Sequence, residues 1–322
     1  MIIFLKRVYL LSFCSLLLSD LVTGGSEFLF YLFGLLRFIS GFVLFSLNPK
    51  QNVLYIIILF CHSLFVSVTT TLFHDFFMWA AFFFIFCVYF FQIPKKNIII
   101  YMSIGLALFI FLQNFKTLYR NEIWFEGSGQ SVDKVINITA MASGKFSEEG
   151  NINGTINRIN QAWIFASIVD RMNRVGDFQG FELLKKYLEA ALLPRFLAPS
   201  KLQSGGGSVR EIFNQFSGHE TNSGTSMGLG VFADGYIAAG FSGLLFFSFG
   251  LGLLLSFTFA IVERWSRINI FYIVFIFPLL NYAVRPDCEL QTTLNHLVKG
   301  LIFYGVMVTL TKYRFVLTNR MN

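Results

Sequence analysis

The segment LLPRFLAPSK (residues 192–201) sets Arg195 and Lys201 six residues apart, with a proline shortly ahead of each. A guanidinium is a planar fork that matches phosphate oxygens, and an ammonium is a compact positive charge. Together the two cations could hold a phosphate or an anionic sugar. The alternative is that they anchor an interfacial helix by extending from the apolar layer into water.

The residues before this segment predict an amphipathic helix that delivers the two cations. In GFELLKKYLEAALLPR, apolar residues recur at helical spacing, at Phe181, Leu184, Leu188 and Leu192, and charged residues fall on the other side. Pro194 should end the helix, because proline lacks an N–H and disfavours helical geometry at the residue before it. Such a helix is expected to lie in a membrane interface. INRINQAWIFASIVDRMNRV predicts a second amphipathic helix.

The composition is that of an integral membrane protein. Of 322 residues, 55% are hydrophobic and only 13% are charged, and 42 are phenylalanine. The mean hydropathy is +0.63, and a water-soluble domain could not solvate itself with so few charges. The net charge of +7 would suggest nucleic acid in a soluble protein. Membrane topology accounts for the cations here, so we expect no nucleic acid partner.

Apolar stretches predict eight membrane spans in an all-α fold. The predicted spans are Ile2–Val22, Phe28–Leu47, Val53–Thr70, Phe76–Ile93, Ile98–Leu112, Tyr236–Val262, Ile268–Val284 and Leu297–Leu310. If the N-terminus is cytoplasmic, the short inner connections and termini carry ten Lys or Arg residues and the short outer ones carry only Arg285. This bias predicts that both termini are cytoplasmic.

The same topology predicts one large, partly helical extracytoplasmic loop. We therefore expect three regions, an N-terminal five-helix membrane region (1–113), the loop (114–234) and a C-terminal three-helix membrane region (235–322). Loops of this length are usually functional, because a structureless connection of such size is uncommon in a compact protein.

Small residues open the sixth predicted span. The segment SMGLGVFADGYIAAGFSG (226–243) carries repeated glycine and alanine, with Asp234 near the membrane edge. Small residues let helices or a ligand approach the backbone closely, and packing alone also explains them. Asp234 could equally be a helix N-cap.

The order of these elements resembles the oligosaccharide repeat-unit polymerases, the O-antigen polymerase family. An outer-loop arginine is followed by a Pro-Arg-x-x-x-Pro-x-Lys element and then by an acidic-x-Tyr-x-x-x-Gly-x-x-Gly entry to the next span. The resemblance covers about residues 155–255, and with eight predicted spans the chain looks like a short member. The matching positions are Arg158, Pro194, Arg195, Pro199, Lys201, Asp234, Tyr236, Gly240 and Gly243.

The resemblance implies glycosyl transfer at the outer face of a bacterial cytoplasmic (inner) membrane. A nascent glycan would leave its undecaprenyl diphosphate carrier and join the next lipid-linked repeat unit, giving O-antigen or a capsular or exopolysaccharide. Fixed cations could stabilise the charge that grows on the departing diphosphate. The implied partners are the lipid-linked oligosaccharide, membrane lipid and a chain-length regulator as a candidate.

Residue roles follow from the resemblance. Arg195 and Lys201 would hold diphosphate, and Arg158 would hold diphosphate or an anionic sugar. The base that deprotonates the acceptor hydroxyl would be His219, Glu220 or Asp234, each of which could instead be structural. Candidate substrate-binding residues are Arg171, Arg210, Tyr236 and Arg285. We expect no cofactor and no metal, because no outer Asp, Glu and His residues have metal-ligand spacing.

Two other functions remain open at this stage. A ligase of related architecture would move a finished glycan from the carrier to another acceptor, and it could use the same cations. A non-enzymatic transporter or flippase of lipid-linked glycan is the second alternative. Transporters commonly have repeated halves and broken helices near the midplane, and the sequence has no evident internal repeat.

Overall fold

The computed structural model describes residues 2–19, 27–70, 73–120, 137–138, 141, 162–193, 207–221, 228–285 and 288–320, and these ranges contain helices and short connecting segments but no strand. The twelve α-helices of four residues or more in the described part are α1 (Ile2–Ser19), α2 (Glu27–Gly34), α3 (Leu36–Leu47), α4 (Pro49–Thr70), α5 (His74–Phe91), α6 (Lys95–Arg120), α7 (Ala162–Val175), α8 (Glu182–Leu192), α9 (Gly207–Ser217), α10 (Val231–Ser266), α11 (Ile276–Leu280) and α12 (Leu290–Arg320). A 3-10 helix, Ile270–Phe275, precedes α11.

Six helical segments in the described part are long and apolar enough to cross a membrane. They are Glu27–Leu47, Pro49–Thr70, His74–Phe91, Lys95–Leu112, Val231–Ser266 and Leu290–Lys312. The predicted all-α fold with several helices of spanning length is therefore confirmed, whereas the count of eight stays a prediction. The seventh predicted span coincides with a shorter apolar segment, Ile270–Leu280, and a span needs about 20 residues.

Contacts group the chain into two units. The first comprises Met1–Phe13 with Leu36–Asn160, and the second comprises Cys14–Leu35 with Gln161–Asn322. The division at residues 113 and 234 stays a prediction.

The first unit packs aromatic rings between its helices. Phe38 of α3 stacks on Trp79 of α5 with ring centroids 3.7 Å apart. Phe42 lies 5.3 Å from Phe86, and all four side chains are buried. Buried aromatic pairs stabilise beyond the area that they remove from water. Part of the high phenylalanine content therefore forms the core of this unit.

The second unit contains most of the residues that the sequence singles out. Its core joins α7, α9 and the start of α10 through buried apolar side chains: Ile164, Ile168, Met172, Phe213, Phe216, Leu229, Ala233, Tyr236 and Ile237. A second cluster joins α8 to α10 and α12 through Tyr187, Val231, Ala238, Phe247 and Leu290.

The amphipathic helix α8 exists as predicted, and its buried residues lie outside the predicted leucine face, from which only Leu184 packs against the described core. Tyr187, Ala190 and Ala191 are buried, whereas Leu188 and Leu192 are 40% and 61% exposed. Small side chains at two of the three buried positions let α8 approach its neighbours closely. The leucine face remains open, as expected for a helix that lies against lipid.

Candidate functional site

Helix α10 is broken within the segment that carries the acidic-x-Tyr-x-x-x-Gly-x-x-Gly motif. Ala239 (φ −155°, ψ 37°) and Gly240 (φ 60°, ψ −143°) leave helical geometry and divide α10 into an N-terminal arm (231–238) and a C-terminal arm (241–266). The φ of Gly240 lies in the region that L side chains rarely adopt, so the motif glycine permits the break. The C-terminal arm alone is long enough to span a membrane.

The two arms touch at a pair of glycines. In a straight helix, residues eight positions apart would be separated by about 12 Å. Here a Cβ added to Gly235 would lie 2.9 Å from the carbonyl oxygen of Gly243, and a Cβ added to Gly243 would collide with the carbonyl oxygen of Gly235. The chain therefore turns back on itself at the break, and both positions need glycine for the backbones to meet.

The segment between α7 and α8 satisfies the carbonyl groups that the break exposes. The amide of Gln179 donates to the carbonyl of Ile237 at 3.0 Å, and the amide of Gly180 donates to that of Ala238 at 2.8 Å. Unpaired carbonyls at a helix end are costly when buried, so these bonds stabilise the reversal. They also fix the start of α8 against α10.

Asp234 forms a buried clamp between three helices. Its Oδ1 accepts a hydrogen bond from the hydroxyl of Tyr187 on α8 at 3.1 Å, and its Oδ2 accepts from the amide of Leu290 at 2.7 Å. Leu290 is the first residue of α12, so the carboxylate caps that helix and meets the positive end of its dipole. Asp234 itself is fully buried. The sequence left open an N-cap role for Asp234, and the helix that it caps is α12 rather than its own.

The clamp holds Tyr187 in its neutral form. Burial, and next the negative charge of Asp234, raise the pKa of the Tyr187 hydroxyl above its ordinary value of 10.0. The phenol therefore remains a donor throughout the physiological range. The Tyr187 phenol donates to one oxygen of Asp234 and the Leu290 amide donates to the other, and no part of the Asp234 side chain reaches solvent. This geometry gives Asp234 a positioning role and does not suit the acceptor-activating base.

Tyr236, the tyrosine of the motif, joins the N-terminal arm of α10 to α7. Its hydroxyl donates to Oδ1 of Asn173 at 3.0 Å, and its ring packs edge-on against Phe165 and Phe178. Only 9% of Tyr236 is exposed. The structure thus gives Tyr236 a buried, bridging position and not the open one expected of a substrate-binding residue.

The three cations of the predicted diphosphate site, Arg158, Arg195 and Lys201, lie outside the described residues. Helix α8 ends at Leu192, three positions before Arg195 in the sequence. The Asp234 clamp therefore fixes the helix from which the cationic segment continues.

The other predicted residues of the outer region fall into two groups. One group is exposed and comprises Arg171, His219 and Glu220. The guanidinium of Arg171 lies against Gly218, and His219 follows this glycine in the chain. Arg210 is half-buried on α9. Of the three candidate bases, Asp234 is buried, whereas His219 and Glu220 are exposed.

Arg285 belongs to a separate polar cluster in the same unit. Its Nε donates to the backbone carbonyl of Asn281 at 3.1 Å, and its guanidinium lies 4.5 Å from the centre of the Tyr282 ring. Asn281 in turn donates from Nδ2 to the hydroxyl of Tyr31 at 3.2 Å. These contacts hold Arg285 against aromatic side chains, and a planar guanidinium suits that stacking.

Sequence reasoning missed three residues that shape this unit: Tyr187, Asn173 and His296. His296 is buried, and its Nε2 donates to the carbonyl of Pro278 at 2.6 Å, because a carbonyl can only accept. His296 directly precedes the predicted span Leu297–Leu310, and no pattern in the sequence singled it out. Tyr187 and Asn173 likewise have no signal, since each lies among charged neighbours on an amphipathic helix.

Comparison with known proteins places the chain in a family but assigns it no activity. Neither a search of the curated proteins nor a search of the solved structures found a match. One family model, described as a domain of unknown function (DUF8712), matches residues 1–316. The match extends over nearly the whole length, and the chain therefore belongs to the DUF8712 family.

Proposed function

We propose that this protein is a membrane glycosyltransferase that polymerises lipid-linked oligosaccharide repeat units. In this proposal eight spans cross a bacterial cytoplasmic membrane, both termini are cytoplasmic, and residues 114–234 face outward. The glycan leaves an undecaprenyl diphosphate carrier and is joined to a sugar hydroxyl of the next carrier-linked unit. The proton of that hydroxyl passes to a base, and the diphosphate carries away the bonding electron pair.

One observation carries the proposal: the motif residues that lie in the described part are built into a single arrangement. Gly240 forms the break in α10, Gly243 forms the contact between its arms, Tyr236 bridges to α7, and Asp234 bonds to Tyr187 of α8. A packed arrangement of these positions supports the reading that they form one motif. It also holds the helix that precedes the Pro-Arg-x-x-x-Pro-x-Lys element.

The remaining roles are proposals about chemistry. Arg195 and Lys201 stabilise the departing diphosphate by charge-assisted hydrogen bonds, and Arg158 binds diphosphate or an anionic sugar. His219 or Glu220 takes the proton of the acceptor hydroxyl, since both side chains are exposed. Arg210 and Arg285 are secondary contacts to substrate.

The proposal predicts that Arg195→Ala abolishes long-chain glycan while the protein remains in the membrane at normal abundance. Removal of one transition-state donor commonly costs about 10²–10³ in rate, which is enough to empty the upper part of a glycan ladder. Lys185→Ala is the matched control, because Lys185 is an exposed cation on α8. The measurement is the glycan ladder of a deletion strain complemented with each variant. An unchanged ladder in the Arg195 variant would exclude the assigned role.

The same deletion strain separates the proposed polymerase from its two alternatives. Single repeat units transferred to their final acceptor indicate loss of a polymerase. Full-length polymers retained on the carrier indicate loss of a ligase. Lipid-linked units retained on the cytoplasmic side indicate loss of a flippase.

A further inference from the structure

An exposed polar patch lies where α7 meets the turn that follows α9. We call it the Trp163 patch, and it comprises Trp163, Ser167 and Arg171 of α7 with Gly218 and His219 of the turn. None of these five residues takes part in the hydrogen bonds of the Asp234 clamp.

The patch is built on packed secondary structure. Its three α7 residues recur every four positions and therefore follow one another along one face of the helix. The adjoining face of α7 is buried in the core that it shares with α9 and the N-terminal arm of α10. Because both sides of the patch belong to this core, their side chains are presented at a fixed separation.

Trp163, Ser167 and His219 form the aromatic and hydrogen-bonding part of the patch. The imidazole of His219 stands edge-on to the indole of Trp163, with ring centroids 5.6 Å apart. Its Nε2 lies 3.3 Å from Oγ of Ser167. Trp163 is nevertheless 41% exposed. The indole of Trp163 is thus held by the His219 contact and is partly exposed to water, so it offers a flat surface for stacking.

Arg171 supplies a positive charge at the other end of the patch. Gly218 follows α9 with φ +74°, and a Cβ there would lie 2.7 Å from a guanidinium nitrogen of Arg171. The guanidinium therefore lies directly against the turn. Arg174, on the same helix, pairs with Asp170, whereas Arg171 forms no ion pair with any residue that the structure describes.

We propose that the Trp163 patch binds an acidic saccharide, a choice of ligand that rests on the proposed function. The partly positive C–H face of a sugar ring suits the negative face of the indole. The hydroxyl of Ser167 donates to the backbone carbonyl of Trp163 at 2.9 Å, so its oxygen can accept a hydrogen bond from a sugar hydroxyl. The imidazole of His219 can exchange a hydrogen bond with a second sugar hydroxyl. Arg171 offers a two-pronged contact for a carboxylate or phosphate on the glycan.

The length of the patch favours a chain over a single sugar. Trp163 and Arg171 are eight residues apart on α7, which corresponds to about 12 Å along the helix axis. This spacing joins backbone positions on one face of α7, and a ligand with more than one ring can contact both side chains along it. The patch would hold the growing polymer rather than a free monosaccharide.

Binding to full-length protein in lipid nanodiscs tests the proposal. The acidic probe is a hyaluronan hexasaccharide, and the neutral probe is maltohexaose, both titrated by calorimetry. We expect Trp163→Ala to weaken binding of the acidic probe by tenfold or more, and Arg171→Gln to weaken the acidic probe while leaving the neutral one unchanged. Val175→Ala is the control, since Val175 is 62% exposed on the same helix.

The possible results separate this proposal from the proposed function. Trp163→Tyr, which keeps an aromatic ring, should retain most of the affinity and shows whether loss in the alanine variant reflects stacking. Arg195→Ala should bind both probes normally even if it makes no polymer. Failure of the intact protein to bind the acidic probe, or equal affinity in Trp163→Ala, overturns the patch. A normal ladder in Arg195→Ala with intact probe binding overturns the proposed activity alone.

Discussion

At the scale of single residues, Asp234 is the group whose environment is most demanding. A fully buried carboxylate is expensive unless hydrogen bonds compensate its lost hydration, and here Tyr187 and the amide of Leu290 provide them. The side chain thus converts three separate helices into one interdependent arrangement. We therefore expect Asp234 to stabilise the fold, and to affect any activity only by fixing the position of α8.

Removal of the carboxylate should destabilise the protein strongly. Asp234→Ala leaves two buried donors without a partner, and each such donor costs about 1–3 kcal/mol. Tyr187→Phe leaves Oδ1 of the buried Asp234 without a donor, so its cost should be about 1–3 kcal/mol. Thermal unfolding of the purified protein in detergent measures both, with Tyr89→Phe as an exposed control.

A double variant tests whether the two side chains act together. Asp234→Ala combined with Tyr187→Phe should be less destabilised than the sum of the single changes, because the second change removes one of the orphaned donors. Simple additivity would mean that the hydrogen bond between them contributes nothing to stability.

At the scale of elements, α10 is a short arm followed by a membrane-spanning arm. The sequence predicted a single span from Tyr236 and identified the small residues correctly as sites of close approach. It could not predict the reversal, because hydropathy is uniform through the break and the backbone conformation of a glycine leaves no trace in composition. The contact between Gly235 and Gly243 and the two bonds from the 179–180 amides decide the geometry.

Glycine substitutions test whether the contact between the two arms of α10 requires glycine. Gly243→Ala should destabilise the protein by about 1–3 kcal/mol, since its Cβ collides with backbone that cannot move independently. Gly250→Ala is the matched control on the same helix, because nothing lies within 4 Å of a Cβ there. Thermal unfolding and membrane abundance of the two variants give the comparison. Equal behaviour would contradict the packed reversal.

Other elements show where sequence patterns suffice. The 3.6-residue periodicity of α8 predicted its existence and its end near Pro194, since local sequence sets both. The same pattern did not identify which face of α8 meets the protein. Two alanines and a tyrosine are its buried residues, and the tyrosine, Tyr187, packs against partners in α10 and α12 that are distant in sequence. Long-range partners are also why the Asp234 clamp could not be predicted.

At the scale of the whole molecule, the described helices fit a multi-pass membrane protein, with helices of spanning length before and after residues 114–234 in the sequence. The bias of Lys and Arg in short connections predicts which side is which. Single cysteines at Val175 and Lys312, each in a variant whose natural four cysteines are replaced by serine, test this orientation. Both positions are exposed.

We expect the cysteine at 175 to react with a membrane-impermeant maleimide on spheroplasts, in which the cytoplasmic membrane is intact and its outer face is accessible. The cysteine at 312 should react only after the membrane is permeabilised. Labelling in the opposite order would invert the topology and remove Trp163, His219 and the cationic segment from the outer face.

The bond between Asp234 and Leu290 also has a consequence for biosynthesis. The two partners are 56 positions apart in the chain, and translation proceeds from the N-terminus. Asp234 is therefore synthesised before its partner, and it gains the hydrogen bond from the Leu290 amide only after the start of α12 has been made. A nascent chain that stops before Leu290 therefore lacks one of the two hydrogen bonds that hold Asp234.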